Sequence, residues 1–111
     1  MKTFVKLDFD VVGFHQYINA PKQVEFLKYN HRHDFNIKVK YLVTDLDREK
    51  EIFIQTDFLK EYLYESYGNP CQFNGMSCEM IAKEIFEFGK IDGIVSVEVL
   101  EDNRGGAIVE I

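Results

Sequence analysis

The chain has little that would suit it to nucleic acid, to a membrane or to an oxidising compartment. Lys and Arg number 13 against 19 Asp and Glu, a formal net charge of −6 over 111 residues. Nucleic-acid surfaces need clustered positive charge to displace counterions, so that class of partner is not expected. No apolar run approaches the roughly 20 residues that cross a bilayer, so no membrane partner is expected either. The opening MKTFVKLDFDVV is acidic by position 8 and has no uninterrupted apolar core, so it does not read as a signal peptide. Cysteine is scarce: Cys71 and Cys78 stand seven positions apart with no CxxC, which excludes a zinc ribbon or thioredoxin-type motif. Free thiols in a reduced, cytoplasmic setting are the simplest expectation. Proline occurs only twice, against ten Phe and six Tyr, which suggests a compact, strand-rich body with few irregular loops. At 46% hydrophobic the chain can build a real core, and with no repeat, linker or low-complexity tract residues 1–111 read as one domain.

What is present is strong periodicity. Over residues 4–15, Val5, Leu7, Phe9, Val11, Gly13 and His15 share one parity, and Lys6, Asp8, Asp10 and Val12 the other. Side chains on a strand alternate faces, so this is a half-buried strand whose apolar face ends in His15. Residues 31–44 repeat the pattern, with His31 and His33 opening a face continued by Phe35, Ile37, Val39, Tyr41 and Val43. A short apolar piece, Ile52-Phe53-Ile54, precedes a helix expected from about Asp57, with Phe58, Leu59, Tyr62 and Leu63 on one stripe and Gly68-Asn69-Pro70 as its stop. Ser77 is the expected N-cap of a second helix, with Glu79 in its first turn, an apolar stripe of Met80, Ile81, Ile85 and Phe88, and Gly89 as terminator. Residues 94–101 form a third strand with Val95, Val97, Val99 and Glu101 on one face; DNRGG is a turn, and residues 107–111 a last short strand.

The order is therefore ββααββ. Grouped strands and helices favour an α+β fold, a four-stranded antiparallel sheet with two helices on one face. A sheet this small has open edges, and open edges are liabilities. A homo-oligomer that pairs them is expected.

The three histidines carry the chemistry. His31 and His33 are two apart on one strand, so their imidazoles point the same way. If strand 4–15 pairs antiparallel with strand 31–44, the end of the first meets the start of the second, and His15 joins them. Three neutral imidazoles around one point make an open zinc site, with the fourth position left for water or substrate. The alternative is three core histidines satisfied by hydrogen bonds. Glu101 stands where its face calls for an apolar residue. Either the strand has ended and the carboxylate is solvated, or it accepts N–H bonds from a guanidine-like or pterin-like edge.

The segments DFDVVGFH, NHRHDFNIKVKY, IFIQTDFLKEYL, MSCEMIAKEIF and VSVEVLEDNRGGAIVEI, in this order, resemble the 6-pyruvoyl-tetrahydropterin synthase and 6-carboxy-tetrahydropterin synthase family. The likeness spans nearly the whole chain, and its most specific part is His15, His31-x-His33 and Glu101. The resemblance implies a tunnelling fold (T-fold), in which subunits join their sheets into an oligomeric barrel of three, four or six copies. It implies Zn2+ held by His15, His31 and His33, and Glu101 anchoring a pterin- or purine-like ring. It also implies lyase-type chemistry on a pterin or deazapurine precursor, as in pterin or queuosine biosynthesis. Ser77 and Glu79 fall in a stretch like the family's PTxE.

The departures bear on catalysis. Leu27 stands where the family has its catalytic cysteine, Arg32 replaces the glycine between the two histidines, and Gln55 replaces an aspartate. The family's Asp-His pair has no counterpart, because the stretch from Glu65 to Met76 is short and lacks both residue types. The family's cysteine-to-base proton transfer is thus not available in its usual form. Tyr17, Tyr29 and Asp34 lie near the histidines in sequence, and Cys71 lies in the shortened loop; none is singled out. The alternative to an enzyme is an oligomer that binds zinc and a pterin or purine without turning it over.

Overall fold

A computed structural model describes residues 1–111. The elements in chain order are β1 (Thr3–His15), a 3-10 segment (Lys22–Lys28), β2 (His31–Val43), α1 (Ile52–Tyr67), β3 (Cys71–Asn74), α2 (Cys78–Gly89), a short 3-10 turn (Lys90–Asp92), β4 (Ile94–Glu101) and β5 (Gly105–Glu110). The strands form one mixed five-stranded sheet in the order β3-β1-β2-β4-β5. β3 runs parallel to β1, and every other pairing is antiparallel. The protein is α+β. No helix is long and apolar enough to cross a membrane.

The expected order ββααββ needs one correction: a fifth strand lies between the two helices, so the order is ββαβαββ and the sheet is mixed. The four residues CQFN are too few to display a period. Their alternation, buried at Cys71 and Phe73 and exposed at Gln72 and Asn74, makes sense only beside the Gly13–His15 end of β1. α1 also begins earlier than expected. The Glu51 carboxylate accepts a hydrogen bond from the Ile54 N–H at 3.0 Å, an N-cap that starts the helix at Ile52. Ile52, Phe53 and Ile54 therefore point largely to solvent, at 51%, 78% and 64% exposure.

The long strands follow their parity. Leu7, Phe9 and Val11 of β1 and Phe35, Ile37, Val39 and Tyr41 of β2 are buried on one face, and Leu59 and Leu63 of α1 and Ile81, Ala82 and Ile85 of α2 close over them in a single core. Each such large aliphatic or aromatic side chain contributes about 1.5–3 kcal/mol on burial. Three stripe residues depart from expectation. Met80 and Phe58 face outward, and Val95 is only half-buried. The pairing of β2 with β4 shifts between Lys40 and Tyr41, which puts Ile94 opposite Tyr41 and into the core in place of Val95. Ser77 caps α2 as expected, accepting from the Met80 N–H at 3.2 Å.

Gly13 makes room for two rings. A Cβ there would lie 2.8 Å from Phe73 Cε2 and 3.0 Å from Phe35 Cδ2. Both rings are fully buried and have nowhere to retreat. Gly13→Ala is expected to destabilise the fold by about 1–3 kcal/mol, as overpacking does, read as a lower midpoint in urea unfolding. An unchanged midpoint would show that the rings can move.

Candidate metal centre

The antiparallel register of β1 on β2 sets His15 directly across from His31 and Gly13 across from His33. All three imidazoles stand on the apolar face at the same end of the sheet. Their ring centroids are 4.6 Å (His15–His31), 4.9 Å (His31–His33) and 5.3 Å (His15–His33) apart, and one nitrogen from each lies within 4.8 Å of the others. A tetrahedral zinc with Zn–N near 2.0–2.1 Å needs N···N separations of roughly 3.3–3.5 Å. Phe35, the next residue on the β2 face, meets His15 and His33 edge to face at 5.1 and 5.6 Å and forms the floor of the cluster.

Each ring is held by its other nitrogen. His15 Nδ1 lies 2.9 Å from the Met76 carbonyl oxygen, His31 Nδ1 2.8 Å from the Tyr29 carbonyl oxygen, and His33 Nδ1 2.7 Å from Asp102 Oδ2. A carbonyl or carboxylate oxygen only accepts, so each Nδ1 carries the hydrogen and donates it. Nε2 is then the nitrogen each ring offers to the cluster, the arrangement in which ligating imidazoles are fixed for a metal. His33 Nε2 is buried with no hydrogen-bond partner. An orphaned acceptor costs about 1–3 kcal/mol, and a cation would satisfy it. The donor set, three imidazole nitrogens, suits zinc. Burial lowers the pKa of His15, and the neighbouring His31 and His33 add to this, against the opposing pull of the Met76 carbonyl and Glu101. That direction favours the neutral form a metal requires.

Asp102 is the orienting residue that sequence reasoning missed. It follows Glu101 in the turn, at a left-handed φ of 52°. Its N–H donates to the Asp34 carbonyl at 2.8 Å, while its Oδ1 accepts from the Asp34 N–H at 2.8 Å. This reciprocal clamp ties the turn to β2 and aims Oδ2 at His33. The hydrogen bond from His33, then that from the Asp34 N–H, lowers the Asp102 pKa. The only signal in the sequence was an Asp opening a turn, which is too common to point to a histidine. Asp102→Ala is expected to weaken zinc binding about 10–100-fold, measured by competition with a chromophoric chelator; an unchanged affinity would remove Asp102 from the site.

Glu101 ends β4 opposite Phe35 and reaches the cluster. Its Oε2 lies 3.1 Å from His15 Nε2 and its Oε1 3.4 Å from His33 Nε2. It is thus not a solvated strand end. The Cys78 thiol, at the first turn of α2, donates to Glu101 Oε2 at 3.5 Å. Burial first, then Glu101, pushes its pKa up to about 12, so the sulfur keeps its proton. His15, His31, Glu101 and Cys78 open onto a cleft of about 510 Å³, whose walls include Leu27, Tyr17, Ser77 and Glu79.

Cys71 is fully buried beside Gly13 and does not line the cleft. Its pKa rises to about 11 through burial. Tyr29 contributes its carbonyl to His31 while its ring is exposed. The Asp34 carboxylate pairs with Arg32 at 3.2 Å on the opposite face of the strand. The structure thus brings together His15, His31, His33 and Glu101, with Ser77 and Glu79 at the rim, and leaves Cys71 outside. Neither a protein-family model nor a curated protein sequence matches the chain.

Proposed function

We propose that the protein binds Zn2+ through His15, His31 and His33 and takes a pterin- or deazapurine-type ligand in the adjoining cleft, as a 6-pyruvoyl/6-carboxy-tetrahydropterin synthase-like lyase. The observation that carries the metal reading is the common arrangement of the three rings: every Nδ1 is tied to an oxygen acceptor, and one nitrogen from each ring lies within 4.8 Å of the others. The metal, when bound, supplies Lewis-acid polarisation of a hydroxyl or carbonyl oxygen on the ligand's side chain. The chain's own residues do the rest. Met76, Tyr29 and Asp102 orient the imidazoles. Phe35 closes the site from below and excludes water. Ser77 and Glu79 bound the cleft where a ring would lie. A T-fold barrel of three, four or six copies would cover the open edges of β3 and β5.

One observation favours a second reading, binding without turnover. Leu27, in the wall of the cleft, has no proton to give or take, and the one thiol that reaches the cleft is firmly protonated. The test uses the native chain, without a histidine tag. Zinc at 100 times its Kd is expected to stabilise the fold by about 2.7 kcal/mol, read as a raised Tm. Incubation of the zinc form with 7,8-dihydroneopterin triphosphate then separates the readings. Product formation supports the lyase. A ligand-dependent rise in Tm without product supports the binding protein. No response to zinc would end both.

A further inference from the structure

The Nε2 atoms of His15 and His33 do not face open space; they face a carboxylate. Nδ1 of each ring donates to a fixed oxygen, so Nε2, the nitrogen turned to Glu101, presents its lone pair whenever the ring carries a single proton. Glu101 Oε2 and Oε1 present lone pairs back, at 3.1 and 3.4 Å. Two such contacts side by side are repulsive unless a cation lies between them. No Lys or Arg is paired with Glu101. Its one hydrogen bond, from the Cys78 thiol, goes to Oε2 and leaves His33 Nε2 without a partner.

We infer that Glu101 is the fourth metal ligand of the resting site, so that the centre is a closed set of three imidazoles and one carboxylate rather than an open set of three imidazoles. The inference rests on the zinc reading above. In a tetrahedral site with Zn–N and Zn–O near 2.0–2.2 Å, adjacent donor atoms lie roughly 3.3–3.4 Å apart. Each oxygen of Glu101 lies close to that length from one ring, Oε2 at 3.1 Å from His15 Nε2 and Oε1 at 3.4 Å from His33 Nε2. The Cys78 thiol then acts on a ligating oxygen as outer hydrogen-bond donors do, fixing the rotamer of the carboxylate. A functional consequence follows. A ligand that reaches the metal must displace Glu101, and the freed carboxylate then faces the cleft, where it can accept N–H bonds from the incoming ring. A metal ligand at rest and a ring acceptor when loaded are two positions of one side chain.

The experiment uses cobalt(II)-substituted protein titrated with azide, followed by its visible spectrum, together with zinc affinity by chelator competition. In the native chain the cobalt spectrum is expected to stay unchanged on adding azide. In Glu101→Ala, azide shifts it, and zinc affinity falls about tenfold or more. Glu101→Gln, which keeps the shape of the side chain, serves if the alanine variant folds poorly, and is expected to lose affinity in the same direction. A native spectrum that responds to azide at the same concentrations as the variant, with zinc affinity equal in both, overturns the inference and leaves the three-histidine site standing. A native chain that takes up neither zinc nor cobalt overturns the metal reading itself.

Discussion

His33→Ala is expected to weaken zinc binding about a hundredfold or more while leaving the metal-free fold nearly as stable as before. Structural zinc sites bind with about 10–16 kcal/mol in total. Losing one donor of three or four removes about 3 kcal/mol or more, roughly a hundredfold in affinity. The metal-free protein responds differently, because His33 Nε2 is a buried lone pair with no hydrogen-bond partner. Removing an orphaned polar group returns its desolvation cost and offsets the lost Asp102 hydrogen bond and the contact with Phe35. Tm without zinc should therefore move little, by the equivalent of about 1 kcal/mol or less, while most of the rise in Tm on adding zinc disappears. A variant that loses several kcal/mol without zinc and nothing of its zinc response would mean that His33 is a core residue and not a ligand.

Phe35→Ala should produce the largest loss of stability of any single change near the site. The ring is fully buried, packs against Phe73 at 5.1 Å and carries His15 and His33 on its edge. Truncating such a ring costs about 3–5 kcal/mol through lost transfer energy and the cavity left behind. Against a total stability of about 5–15 kcal/mol for a domain of this size, that is about a fifth or more. Zinc affinity should fall with it, because two of the three imidazoles lose the surface that sets their angle. Urea unfolding of the metal-free protein isolates the first effect and chelator competition the second. A change below about 1 kcal/mol, against the usual cost of such a truncation, would show that the floor is not where the rings rest.

These two results would probe different things. His33 tests the chemistry of the cluster, and its effect appears only with metal. Phe35 tests the packing that delivers the cluster, and its effect appears with or without metal. Gly13 belongs with the second, since it leaves the space that Phe35 and Phe73 fill. Asp102 belongs with the first, since it acts through one hydrogen bond to His33 and lies in an exposed turn.

Much of this was present in the order of residues. A period of two is a strong signal when it runs for a dozen positions, so β1, β2 and the burial of His15 and of the His31–His33 face followed from parity alone. The convergence of the three imidazoles needed only one further assumption, antiparallel pairing of those two strands. What parity could not decide lay where periods are short or interrupted. Four residues are too few to mark β3 as a strand. A shift in the pairing of β2 with β4 exchanges Ile94 for Val95 in the core without any change of composition. The start of α1 was set by the Glu51 cap rather than by its apolar stripe. The partners of the site were decided by tertiary structure for the same reason: Met76, Tyr29 and Asp102 reach the rings through backbone carbonyls and a turn carboxylate, which carry no residue-type signature. Glu101 could be singled out by its odd place on an apolar face, but only the fold shows both its oxygens against two imidazole nitrogens. Periodicity places a side chain on a face; which atom it meets there depends on chain distant in sequence.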